Sequence, residues 1–246
     1  MLLQFPDYAL AADQALMFAP ALAYKESHRH FSHLMAIHPL GLIRWEDGPR
    51  AQAIIASTIK SLDQVGPDGW MGYSYSWLAR VKARAKDGEG AATALEIFAK
   101  AFCLKNSFHV NGDQTKSGYS KFTYRPFTLE GNFAYASGLQ EMLLQSYAGF
   151  IEIMPAVPAG WQDIAFDQLR AEGAFLVSAR KTGGQVAEIK VVAEQGGTTK
   201  LKLPFKKWAA ARKRGVRVRK LPQDLVELDF AKGGEIIFRN KALAAR

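Results

Sequence analysis

The hydrophobic period of this chain changes from helical to alternating near residue 150, so the chain must carry both an α part and a β part. Up to about residue 149 the apolar positions recur at helical spacing. Asp47 and Pro49 lead into Arg50–Val65, where Ile54, Ile55, Ile59 and Leu62 share one face, and Gly66-Pro67-Asp68-Gly69 breaks the pattern. Further helices are expected over about Phe31–His38, Ser74–Lys86, Gly90–Phe102 and Asn132–Tyr147. Short breaks such as Asp87-Gly88 make them hairpins of an all-α bundle or toroid. After about residue 150 the period is two. Strands are expected at Ala174–Ala179, Val186–Val192, Lys200–Leu203, Val216–Arg219, Leu225–Phe230 and Glu235–Phe238. Turns at Thr182-Gly183-Gly184, Gln195-Gly196-Gly197 and Lys232-Gly233-Gly234 separate them. The expected organisation is a helical domain over residues 1–150 and a small antiparallel β-sandwich domain over residues 151–246, joined at Pro155, Pro158 and Gly160.

Composition excludes several classes. With 48% hydrophobic residues the chain has ample material for packed cores. Its one cysteine, Cys103, rules out an intrachain disulfide and fits a reducing compartment. No apolar run reaches the roughly 18 residues of a membrane span. The first eighteen residues hold no Lys or Arg and include Pro6, Asp7 and Asp13, a poor secretory signal. A cytoplasmic location is therefore expected for the chain as given, with that of any longer parent, secreted or periplasmic, left open. The net charge of +9 is concentrated in Lys206–Lys220, with eight cations and no acid. Such a run could bind nucleic acid. The alternation in Val216-Arg217-Val218-Arg219 suits a strand with one wet face, and this reading is preferred because no recognition motif accompanies the charges.

Three polar constellations carry candidate chemistry. In Phe122–Met142, Glu130-Gly131-Asn132 puts a carboxylate and an amide where a loop becomes a helix, beside unpaired N–H groups. Glu130 could serve as a base on a sugar, or be a solvated loop charge with Asn132 as N-cap. His28-Arg29-His30-Phe31-Ser32-His33, followed by His38, is the densest imidazole cluster. Without Cys or carboxylate at ligand spacing it makes a poor metal site, and no metal or other cofactor is expected. A polar pocket, in which Arg29 clamps paired oxygens and His30 donates to a hydroxyl, stands against a capped helix start. Asn106–Gln114, with His109 and Asn111, and the aromatic run Gly69–Trp77 offer the amides, imidazole and rings that a sugar site uses. An ordinary Asn-Gly turn and core aromatics remain open for them. No P-loop, dinucleotide fingerprint or nucleophile elbow is present.

Taken in order, these pieces resemble the C-terminal half of glycoside hydrolase family 95, the inverting α-L-fucosidases and α-L-galactosidases. The resemblance runs through His28–Leu34, Gly72–Arg80 with Trp77, Pro126–Phe133, Gly138–Ser146, Pro155–Trp161 and Leu169–Phe175. It implies a partial (α/α)6 toroid of helical hairpins followed by a C-terminal β-domain. It implies that Glu130 helps to activate water, in place of the family's usual and shorter Asp, and that Arg29 and His30 touch the sugar. Trp77, His109, Asn111 and Asn132 complete the expected substrate-binding set. Tyr124-Arg125 stands where the family commonly has a His. The resemblance implies that the family's general acid and water-binding asparagines would lie upstream of Met1. The implied function is hydrolysis of terminal α-L-fucosyl or related sugars by the C-terminal portion of an enzyme, weakly active or inactive by itself. An oligosaccharide or glycan is then the substrate, and the missing N-terminal part of the same enzyme a partner. The rivals are a non-catalytic carbohydrate-binding remnant and, last, a basic nucleic-acid binder.

Overall fold

The structure, a computed structural model, describes residues 7–243. The first six residues, part of the N-terminal stretch read above, lie outside it. Two compact units follow one another, Met1–Glu141 and Met142–Arg246.

The first unit holds four α-helices: α1 (Pro49–Val65), α2 (Gly72–Arg84), α3 (Gly88–Ala101) and α4 (Glu130–Leu143), the last reaching two residues past its boundary. Pro49 stands at the start of α1, where its missing N–H costs nothing, and Ala51, Ile54, Ile55, Thr58 and Leu62 form its buried stripe. Thr58 bonds to Ile54 O (2.6 Å) and accepts Leu16 N–H (2.9 Å), fixing the N-terminal segment on this helix. Ser74 opens α2 by accepting Met71 N–H (3.1 Å), and Asp87 caps α3 by accepting Gly90 N–H (2.8 Å). Only three residues, Ala85–Asp87, separate α2 from α3, which therefore run as an antiparallel hairpin. Against this pair lies α4: Tyr135 stacks on Phe98 at 5.3 Å. A Cβ on Gly138 would stand 3.1 Å from Leu95 Cδ2, so the helices approach closely there.

The segment expected as a helix over Phe31–His38 contains only a 3₁₀ turn, Ser32–Leu34, followed by turns. Phe31, Leu34 and Ile37 are fully buried, three residues apart, and the N–H groups of Leu34, Met35 and Ile37 bond to the carbonyl three back. That is the 3₁₀ period, and over so short a span it reads in sequence like an α-helix.

The second unit is one sheet of eight strands: β1 (Leu144–Gln145), β2 (Ile151–Ile153), β3 (Ile164–Ala171), β4 (Phe175–Thr182), β5 (Gln185–Ala193), β6 (Gly197–Lys202), β7 (Trp208–Lys220) and β8 (Leu225–Asn240). Its order is β1-β2-β6-β8-β5-β4-β3, with β7 on β8; β2 and β6 pair in parallel and every other pair is antiparallel. Strand β8 carries the architecture. Its first half, Leu225–Phe230, pairs with β6, and its second half, Gly234–Arg239, pairs with β5. Strand β7 follows β8 along both halves, with register shifts between Ala210/Arg212 and Arg214/Val216. The long β7–β8 hairpin therefore joins two groups of strands into one hydrogen-bonded sheet. Their inward faces, among them Phe175, Val177, Ile189, Val191, Leu201, Leu228, Phe230 and Phe238, make one core.

Two strands expected at Leu225–Phe230 and Glu235–Phe238 are thus one. The strand runs on through Lys232-Gly233-Gly234 without reversing, and Gly234 serves close strand approach there: a Cβ on it would lie 2.5 Å from Gly215 O across the hairpin. The basic segment contains the whole of β7, whose Arg and Lys positions are exposed while Val216 is buried. Strand β8 supplies its partners. Arg212 pairs with Glu235 (2.8 Å) and Arg219 pairs twice with Glu227 (3.0 and 2.9 Å), while Lys220 lies over the Trp208 ring.

Candidate active site

In the helical unit a cavity of about 410 Å³ is lined by Arg29, His30, Met71, Tyr73, Trp77, Asn111 and Glu130. These residues come from four places in the chain: the loop ahead of the 3₁₀ turn, the start of α2, the loop after α3, and the first residue of α4.

Hydrogen bonds fix the loop carrying Arg29 and His30 from both sides. Ser27 Oγ donates to Gly66 O (2.7 Å) and accepts Gly69 N–H (2.8 Å). Tyr24 Oη accepts the N–H of His28 (3.0 Å) and Nε1–H of Trp70 (3.1 Å). Ser74 Oγ, besides starting α2, donates to Arg29 O (2.8 Å), so the beginning of that helix also places the arginine. His28 Nδ1 accepts the N–H of His30 (3.1 Å). Burial, with Arg29 and His28 adding to it, lowers the pKa of His30 and favours its neutral form.

Trp77 donates its Nε1–H to His38 O (3.2 Å) and meets Tyr73 edge to face at 6.0 Å. Behind it lies a buried polar group. Arg84 makes paired bonds to Glu141 (3.3 and 3.0 Å) and donates to Ile37 O (2.9 Å) and Pro39 O (3.2 Å). His38 Nε2 lies 3.5 Å from Glu141 Oε1. Burial pushes the Glu141 carboxyl up, but hydrogen bonds from His38 and Arg84 and the charge of Arg84 outweigh it, leaving it below its ordinary range. Burial dominates at His38, whose pKa is lowered, so the ring is a neutral Nε2–H donor.

The acid side of the cavity rests on His109, which is fully buried and stacks on Phe98 at 5.0 Å. Glycines flank its ring: a Cβ on Gly72 would come within 2.2 Å of Nε2, and one on Gly131 within 2.4 Å of Nδ1. Nδ1 lies 2.7 Å from Thr128 O and 2.8 Å from Thr128 Oγ1. The carbonyl requires the proton on Nδ1. Nε2 is then bare, buried and without a partner among the described residues. Burial accordingly lowers the His109 pKa despite the Thr128 carbonyl and the Glu130 charge. Thr128 Oγ1 passes its own proton to Asn111 Oδ1 (3.0 Å). Asn111 is left with its Nδ2 donors, for which the described residues supply no partner. Asp113, buried, accepts the N–H groups of Thr115, Lys116, Ser117 and Tyr119, closing the loop that follows.

Of the residues read from the sequence, the structure gathers Arg29, His30, Trp77, Asn111 and Glu130 on one cavity. It places His109 and Asn132 behind the wall. Asn132 spends both ends of its amide on the backbone, accepting His109 N–H (3.0 Å) and donating to Ser107 O (2.8 Å). The imidazole cluster divides. His28 and His30 stay exposed, while His33 packs between Phe18 and Tyr24, its pKa pushed down to about 4 by burial. Among the described residues no three His, Cys, Asp or Glu side chains gather as a metal-holding group. Met71 and Thr128 had no signal of their own: one is an ordinary apolar residue, the other an ordinary loop hydroxyl.

Arginine, imidazole and amide donors, a carboxylate and aromatic faces around one opening are groups that suit a polyhydroxylated ligand. The chain belongs to glycoside hydrolase family 95: residues 19–143 match the glycosyl hydrolase family 95 catalytic domain, and residues 145–238 match the family's C-terminal domain. A curated relative, alpha-L-fucosidase 2 of Arabidopsis thaliana, is 30% identical over 176 residues, which make up 71% of this chain and 20% of that protein. The chain thus spans about a fifth of that relative's length. A solved structure, the debranching enzyme of Nostoc punctiforme in its native form, is 14% identical and covers 75% of this chain and 39% of its own, with a TM-score of 0.23, too low to bear on the fold.

Proposed function

We propose that this chain forms part of an inverting glycoside hydrolase acting on terminal α-L-fucosyl or closely related sugars. One observation carries the reading: Glu130 opens on the same cavity as Arg29, His30, Asn111 and Trp77. Water attacks the anomeric carbon while Glu130 orients it and accepts its proton. The glycosidic C–O bond breaks, and its oxygen leaves with a proton from a second carboxyl group, roughly 6.5–9.5 Å away across the cavity. Arg29 and His30 hold sugar hydroxyls, Asn111 donates through Nδ2, and Trp77 and Tyr73 pack on the C–H face of the ring. Among the described residues lining the cavity, Glu130 is the only carboxylate. In this reading the acid comes from another part of the enzyme, with which these hairpins complete an (α/α)6 toroid. Phe108, Phe127, Leu129 and Phe133, 41–68% exposed around the start of α4, support such a covering segment.

The test is hydrolysis of aryl α-L-fucosides and α-L-galactosides by the full-length gene product and its Glu130→Gln variant. A loss of about 10²-fold or more in kcat is expected. Turnover like that of the unaltered enzyme would remove Glu130 from the mechanism. The lone carboxylate also favours a second reading, a carbohydrate-binding remnant. Sugar binding without turnover in the full-length product would decide for it.

A further inference from the structure

The β-unit holds a larger cavity, about 630 Å³, bounded by the β4–β5 turn, the loop Leu203–Lys207 and the chain after β8. Among the described residues three lysines line it, Lys181, Lys206 and Lys207, and no carboxylate does. Apolar side chains, among them Ile153, Val186 and Phe205, supply the rest of its wall.

Lys181 is the unusual member. Along β4 the buried positions alternate, and Phe175, Val177, Ala179 and Lys181 share the inward face, at 3%, 0%, 5% and 9% exposure. The chain thus carries a cation at the end of the row that builds the core. Its cross-strand neighbours, Ile164 and Val186, are apolar. No ion pair or hydrogen bond neutralises Lys181 among the described residues. A long aliphatic stem accounts for burial of its carbons and carries the ammonium to the cavity, where no anion of the described residues meets it. Asn240, also buried, uses its amide within the wall, donating to Val186 O (3.2 Å) and accepting Ala242 N–H (3.0 Å). The N–H of Lys241 bonds to Lys207 O (3.0 Å), which ties the rim to the chain after β8. The walls are therefore braced, and the lysines are the charges left to meet a ligand.

We propose that this cavity binds a carboxylate or sulfate group carried on a molecule of sugar size, with Lys181 as the inner anchor and Lys206 and Lys207 at the rim. Its volume falls in the range of small-molecule sites, and the apolar wall meets the uncharged body of the ligand. The oxyanion part stands on the lysines alone. The saccharide part rests on the proposed function, and would let an acidic glycan be held at a place other than the Glu130 cavity.

Calorimetric titration of the whole chain at low salt tests this with four probes: glucuronate, galactose 6-sulfate, galactose and inorganic sulfate. The two acidic sugars are expected to bind with Kd of about 1 mM or below, and galactose at least about tenfold more weakly. Added salt should weaken the acidic sugars further. Lys181→Met, which keeps the stem, should lose about tenfold, Lys181→Arg should stay within about threefold, and Glu130→Gln should leave binding unchanged. Should Lys181→Met fail to fold by circular dichroism, the rim variant Lys206→Met/Lys207→Met, at exposed positions, is expected to lose about threefold. The proposal falls if the acidic sugars do not saturate by about 10 mM, if galactose binds equally well, or if the folded lysine variants bind unchanged. Inorganic sulfate binding as tightly as the sulfated sugar overturns the saccharide part. Loss of acidic-sugar binding in Glu130→Gln would move the ligand to the other cavity and overturn the site.

Discussion

Thr128 does not line the candidate cavity, yet the orientation of Asn111 depends on it. Its hydroxyl accepts from His109 Nδ1 and donates to Asn111 Oδ1, so the amide can offer the cavity only its Nδ2 hydrogens. Without that hydroxyl the amide is free to turn and present an acceptor. Thr128→Val in the full-length gene product is therefore expected to lower kcat/KM on aryl α-L-fucosides by about tenfold, at about 1 kcal/mol of stability. Thr128→Ser, which retains the hydroxyl, should stay within about threefold. Equal activity of the Val and Ser variants would show that Asn111 needs no such partner. The cavity-facing side chains, Arg29, His30, Trp77, Asn111 and Glu130, are legible in sequence because polar and aromatic groups cluster visibly around them. Thr128 is not, since its role depends on a hydrogen bond to a residue seventeen positions away, and no local pattern encodes that. Asn132 and His109 carry sugar-site chemistry in the sequence but turn it inward, onto Ser107 O and Thr128 O.

At the level of elements, the site exists because α2 and α4 both begin against His109. Only glycine fits at Gly72 and Gly131, where an added methyl would come within 2.2 and 2.4 Å of the imidazole. Gly131→Ala must push either the ring or the first turn of α4, and that turn carries Glu130. The expected outcome is a loss of about 1–3 kcal/mol in urea denaturation, with a fall in kcat in the full-length product. An unchanged denaturation midpoint would mean that the packing seen around His109 gives way freely. The helices themselves are readable, with ends shifted by a few residues, because each buries one stripe. The tail expected on α4, up to Tyr147, is lost to the β1–β2 pairing, in which Leu144 and Gln145 face Ile153 and Glu152. Strand β7 outruns its expected four residues because its length is set by hydrogen bonds to β8 and not by burial, and exposed Arg and Lys positions show no apolar period. Strand β8 reads as two strands for the converse reason: glycines that usually reverse a chain here let two strands approach.

Across the whole molecule, titratable groups are divided unevenly between the units. All five histidines lie in the helical unit, and three of them, His33, His38 and His109, are buried with lowered pKa values. A histidine whose folded pKa lies below the ordinary 6.5 stays neutral in the folded state while the unfolded chain already binds a proton. Its contribution to stability is thus complete above pH 6.5 and is lost as the pH falls toward the folded value, about 4 for His33. For His33 the loss between pH 7 and pH 5 is on the order of 2 kcal/mol. Glu141 acts in the same direction at lower pH: its folded pKa is depressed, so its contribution goes as the pH drops below the ordinary 4.5. The β-unit has its own core and no histidine. Acidification from pH 7 to pH 5 should therefore weaken the helical unit far more than the β-unit. Calorimetry is expected to show one transition moving down in temperature while the other holds, and His33→Phe should remove about 2 kcal/mol of that pH dependence. Two transitions that shift together, or a His33→Phe variant with an unaltered acid response, would mean that these buried rings take up protons without unfolding.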